Sequence, residues 1–145
     1  KATAFIPAKA IHMIRDFKLI EEKNNISFKF NSYFPIKSLN LMRGVLVAEE
    51  DNFKSYYIDS IYNAIWQDGL NLNDENIFQK ILKNLNINPK TFLLRLASSS
   101  IKDSLKKKTS EAYEKGIFGA PSFVINNKIF WGQDRIEFAL SEAKK

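Results

Sequence analysis

Two short stretches near the C-terminal end carry the residue types best suited to holding a ligand. Ala120-Pro121 stands just before the apolar run Phe123-Val124-Ile125, and Trp131-Gly132-Gln133-Asp134-Arg135 follows Ile129-Phe130. Proline cannot donate to a strand ladder and favours a strand's first residue or an edge. An X-Pro bond in such a turn is a place where cis geometry occurs. In that geometry the Ala120 N–H and C=O face outward, where an extended peptide can pair with them as a short added strand. Asp134 stands at the start of the last helix, where backbone N–H groups from about Gln133 to Ile136 attract a carboxylate. The Asp134 side chain can hold an ammonium nearby. Together these features suit capture of an extended peptide whose end bears both charges. Plainer readings stand beside this one: Asp134 as a helix-start charge, Trp131 as a packing residue, Arg135 as a partner that fixes the helix.

The elements that must position these residues follow from local signals. Phe123-Val124-Ile125 and Ile129-Phe130-Trp131 read as two strands, and Asn126-Asn127 supplies the positive φ values of a tight hairpin. Gly116 suits the residue after a helix running from Ile101 to Lys115, and a final helix is expected from Gln133 to Lys144. Upstream the chain reads as helices. Pro7 opens one that runs to about Glu22, and Lys37 to Glu50 forms a second, in which Gly44 implies close packing. Asp51 or Asn52 is the expected cap of a third, central helix carrying Phe53, Tyr57, Ile61 and Ile65. Asp74 and Asn88-Pro89 begin two more, and Ile26 to Phe30 reads as a short strand or an extended connection.

The string Phe118-Gly119-Ala120-Pro121-Ser122-Phe123, a hairpin, then Trp131-Gly132-Gln133-Asp134-Arg135 resembles the C-terminal signature of 2-hydroxychromene-2-carboxylate isomerases and kappa-class glutathione transferases. These are DsbA-like members of the thioredoxin superfamily. The likeness extends upstream to Ile6-Pro7-Ala8-Lys9 with His12-Met13 and Arg15-Asp16, and to Phe34-Pro35-Ile36-Lys37-Ser38-Leu39-Asn40-Leu41-Met42-Arg43. Two departures stand out: His12 replaces the family's aromatic residue, and Lys37 replaces its asparagine.

The resemblance implies an α/β, thioredoxin-like fold with a large all-helical insertion. By that comparison residues 1–100 form the insertion, and residues 101–145 the C-terminal half of the thioredoxin-like domain. The family's N-terminal βαβ half is expected to be absent from this chain, with the serine that stabilises the glutathione thiolate. No catalytic residue is therefore assigned. The resemblance further implies glutathione as cofactor, held at Ala120 and Pro121 and by Trp131, Gly132, Gln133 and Asp134. Glutathione supplies what those features require, an extended backbone and a γ-glutamyl end with carboxylate and ammonium. Lys9 is a weaker expectation, for the glycine carboxylate or an anionic substrate, and is otherwise a solvated lysine. The implied activity is glutathione-dependent isomerisation of an aromatic carboxylate, or glutathione transfer, by a cytoplasmic protein that a homodimer would suit.

Composition sets the outer bounds. The 145 residues are 45% hydrophobic, enough for one sizeable core in one or two small domains. No apolar run approaches ~18 residues, so no membrane span is expected. The chain has no cysteine, which excludes a zinc-thiolate site or a redox Cys pair within it. A thiol–disulfide oxidoreductase would need its cysteines in a preceding segment, and a non-catalytic binding protein of the same fold is a further alternative. Metal-ligand spacing is absent. The net charge of +6 favours anionic partners, but the compact basic run Lys106-Lys107-Lys108 reads as a solvated helix face rather than a nucleic-acid surface.

Overall fold

A computed structural model describes residues 6–145, arranged as seven helices and one hairpin. Among the described residues the helices are α1 (Pro7–Asn24), α2 (Leu39–Glu50), α3 (Lys54–Trp66), α4 (Glu75–Asn84), α5 (Pro89–Ala97), α6 (Ser99–Glu114) and α7 (Ile136–Ala143). Strands β1 (Ser122–Ile125) and β2 (Lys128–Trp131) form an antiparallel pair. The chain divides into two units, Lys1–Ile101 and Lys102–Lys145.

In the first unit α3 is central, as its aromatic and aliphatic spacing requires. Tyr57, Ile61, Ala64 and Ile65 are buried on it, against Leu41, Leu46, Val47 and Ala48 of α2. Fully burying a large aliphatic side chain contributes roughly 1.5–3 kcal/mol. The Tyr57 ring packs with Phe78 of α4 and Phe92 of α5, at centroid distances of 6.5 and 5.7 Å. Its hydroxyl donates to the Leu41 carbonyl at 3.1 Å, beside Gly44. A Cβ at Gly44 would overlap the Tyr57 phenol, which is the close packing that the glycine implies. Asp74 caps α4 by accepting from Asn76 N–H, and Asn88 caps α5 by accepting from Thr91 N–H.

Two local expectations in this unit are corrected, and the choice left open at residues 26–30 resolves to one of its alternatives. Asp51 and Asn52 do not cap α3, whose N-cap is Phe53 with no side-chain bond. Asp51 instead ends α2, and its carboxylate takes a hydrogen bond from Arg95, which also donates to Glu50. A distant guanidinium outcompetes a local cap because two charge-assisted bonds form at once. Residues 26–30 are an extended connection with no strand partner among the described residues; the Lys29 N–H is spent on the Trp66 carbonyl at 2.6 Å. The second helix begins at Leu39, two residues later than expected from Lys37.

In the second unit Asn126 and Asn127 turn the hairpin with φ values of 49° and 60°, pairing Ser122 with Trp131 and Ile125 with Lys128. Gly116 ends α6 with φ 79°. The final helix is also corrected: Gln133–Arg135 form a single 3₁₀ turn, and α-helical geometry starts only at Ile136. The cause is Gly132, whose φ of 100° redirects the chain as it leaves β2.

Candidate functional site

The sharpest convergence of the sequence-derived residues lies at the open end of the hairpin. The strand register brings Ser122 opposite Trp131, and Gly132 N–H donates to the Pro121 carbonyl at 2.9 Å. Pro121 and Gly132 are thus neighbours, although 11 positions separate them in the chain. The Ala120–Pro121 peptide is cis. Ser122 Oγ donates to the Gly119 carbonyl, which closes the turn from inside. Ala120 itself is exposed, and its N–H and C=O have no partner among the described residues.

Trp131 forms the wall beside this amide. Its indole lies over Gly119, where a Cβ would come within 2.5 Å of Nε1, so only glycine leaves room for the ring. Phe118 leans on the same indole with centroids 5.1 Å apart. Both rings keep large exposed surfaces, 73% for Phe118 and 52% for Trp131.

The 3₁₀ turn supplies the charges. Asp134 Oδ2 accepts from Arg135 Nη1 at 2.9 Å, and the Arg135 guanidinium sits 5.9 Å over the Phe138 ring. A Cβ on Gly132 would approach Asp134 Oδ1 to 2.7 Å, so the glycine leaves that oxygen its place. The backbone donors here are fewer than a regular helix start would give, because Arg135 N–H is bonded to the Gly132 carbonyl. Ala120, Pro121, Trp131, Gly132, Gln133 and Asp134 thus gather around one exposed turn. Lys9 does not share their element: it lies exposed on the first turn of α1, in the first unit.

Sequence reasoning missed the residue that fastens the closed end of the hairpin to the last helix. Glu142 on α7 is only 8% exposed. It accepts from Lys128 Nζ at 2.9 Å, from Lys145 Nζ at 3.0 Å and from Asn126 Nδ2 at 3.4 Å. Those bonds, Lys128 first and Lys145 second, outweigh desolvation and hold its carboxyl down at about 2, below the usual 4.5. Its position one turn beyond Phe138 carried little local signal, because two of its three partners belong to the hairpin.

Comparison with known proteins agrees with this architecture. The family model of the DSBA-like thioredoxin domain matches residues 1–144. Among curated proteins, a 2-hydroxychromene-2-carboxylate isomerase of Sphingobium xenophagum is 27% identical over 82 residues, covering 57% of this chain and 42% of that protein. One from Pseudomonas putida is 26% identical over 87 residues, covering 60% and 42%. A solved structure of a 2-hydroxychromene-2-carboxylate isomerase superposes with a TM-score of 0.87 at 19% identity, over 97% of this chain and 68% of that one. The fold is therefore of the thioredoxin type, and the matched part spans well under half of the curated relatives' length.

Proposed function

Because this chain belongs to the DSBA-like thioredoxin domain family, we propose that it is part of a glutathione-dependent isomerase acting on a 2-hydroxychromene-2-carboxylate-type aromatic acid. The class of reaction is suggested by the relatives, which are named as isomerases of that compound. The observation that carries the glutathione reading is the unpaired Ala120 amide beside the Gly132–Asp134 turn.

The residues fit an extended peptide with a zwitterionic end. Ala120 offers one donor and one acceptor in a row, which is what a short added strand pairs with. Trp131 gives that peptide an apolar wall, and Gly132 keeps the approach open where any side chain would collide with Asp134. Asp134, paired with Arg135 in the free protein, would hold the ammonium, and the Gln133 and Asp134 N–H groups would hold the carboxylate. When bound, glutathione would supply a thiolate nucleophile suited to reversible addition at a conjugated double bond, a route to isomerisation without net oxidation. Holding it at both ends is this chain's part in that chemistry.

The test is calorimetric titration of glutathione into the protein and into Asp134→Ala, with conversion of 2-hydroxychromene-2-carboxylate followed by absorbance. Saturable binding that weakens about tenfold or more in the variant supports the site, since a charge-assisted contact contributes about 1.5–3 kcal/mol. Unchanged affinity in Asp134→Ala, or conversion that ignores glutathione, overturns it.

A further inference from the structure

We propose that Phe118 is a positioning residue: it holds the Trp131 indole over Gly119, so that the Ala120 amide keeps an apolar wall beside it and stays open to an extended ligand. The identity of that ligand rests on the glutathione reading above; the coupling of the two rings does not. The Phe118 and Trp131 rings meet with centroids 5.1 Å apart and planes at 58°, within the range of favourable aromatic pairs.

Burial does not account for Phe118. Its neighbour Ile117 is the half-buried residue at this point, and its N–H donates to the Ala112 carbonyl of α6 at 3.0 Å. Phe118 is 73% exposed and so forgoes most of what burying a large ring contributes. A single exposed apolar side chain needs no explanation by itself. One set against the residue that walls a ligand site has a specific consequence.

Trp131 needs the restraint. It ends β2, is 52% exposed, and its indole N–H has no hydrogen-bond partner among the described residues. Nothing polar therefore aims the ring, and a strand residue has two common χ1 rotamers. Gly119 is the floor: a Cβ there would lie 2.5 Å from Nε1 and 3.2 Å from Cε2. Ser122 Oγ donates to the Gly119 carbonyl and keeps that floor in place. Phe118 supplies the side support. Without it the indole gains a second orientation, and each conformer that leaves Gly119 deprives the ligand of its wall. Apparent affinity then falls with the fraction of molecules that keep the ring in place.

The chain has two tryptophans, Trp131 and Trp66 on α3 of the first unit, so fluorine NMR of fluorotryptophan-labelled protein reads the ring with an internal control. Phe118→Ala should displace the Trp131 resonance and leave that of Trp66 still. It should weaken glutathione binding about two- to tenfold, the worth of one aromatic pair. Melting should change little, because the residue is exposed. Phe118→Tyr keeps the ring and should restore both the resonance and the affinity. An unmoved Trp131 resonance, a displacement of both resonances together, or a Phe118→Tyr variant that behaves like Phe118→Ala overturns the proposal. Full glutathione affinity in Phe118→Ala beside a loss in Asp134→Ala removes the positioning role and leaves the glutathione reading standing. Wild-type protein that does not bind glutathione removes that reading, and the fluorine shift then decides the positioning role by itself.

Discussion

Lys128 on the second strand and Glu142 on the last helix meet at 2.9 Å across 14 positions of sequence, and this ion pair fastens the hairpin to α7. The carboxylate is largely shielded while the ammonium is exposed, side chains being 10% and 59% accessible. Asn126 in the turn and Lys145 beyond the helix reach the same carboxylate. Strand, turn and helix are held through one group.

Glu142 should therefore give the second unit an acid-sensitive stability. Its carboxyl titrates at about 2 when folded, below the ordinary 4.5. A depressed carboxyl contributes stability that is complete above 4.5 and is lost as pH falls from there towards 2. Thermal unfolding followed between pH 7 and pH 2.5 should show a fall in melting temperature that Glu142→Gln largely removes. The variant should also melt lower at pH 7, where it leaves the Lys128 ammonium without its anionic partner. An unaltered acid slope in Glu142→Gln would sink this assignment.

Gly44 and Tyr57 form a second testable pair. Gly44→Ala puts a methyl group into the Tyr57 phenol, and the buried ring has no room to retreat. Overpacking of this kind costs about 1–3 kcal/mol, measurable by urea unfolding. Tyr57→Phe should cost about 1 kcal/mol, since the Leu41 carbonyl loses its donor.

Arg95 clamps α5 to the end of α2 through Glu50 and Asp51, and these bonds hold its guanidinium charged more firmly than usual. The three side chains are 31–52% accessible, so solvent screens the pair of contacts. Arg95→Ala should lower stability by only about 0.5–1 kcal/mol, less in high salt. Arg95→Lys should recover little of it, because lysine cannot present two donors in a fork.

The hairpin turn offers a backbone test. Asn127 holds a φ of 60°, which a residue with an ordinary Cβ resists. Asn127→Ala should destabilise the second unit by about 1 kcal/mol, whereas Asn127→Gly should retain full stability. Chemical denaturation of both variants checks this, and equal losses would remove the backbone explanation.

Much of the candidate site was legible because its cues are local. Asn126-Asn127 between two apolar runs specifies a tight turn whatever surrounds it, and that turn alone sets Ser122 against Trp131. The three-residue reach of a cap explains why Asp74 and Asn88 could be read. The same logic failed at Asp51, where a guanidinium 44 positions away claimed the carboxylate. It failed again at Gln133, where the positive φ of Gly132 delayed the helix by a turn.

By itself the sequence determined the helix order, the hairpin with its register and the grouping of Ala120 and Pro121 with the Trp131 to Asp134 segment, while the thioredoxin-type class was implied only by resemblance to a known family. Those features depend on steric and hydrogen-bonding preferences that act within a few residues. Tertiary structure alone decided that Asn31 would be fully buried, donating to the Ile65 and Leu70 carbonyls, and that Ser38 would cap nothing. It also decided that Glu142 would be shielded with three partners rather than solvated on a helix face. A polar side chain shows its role only once its neighbours are known, because burial and distant donors set its energy and neither is written in local sequence.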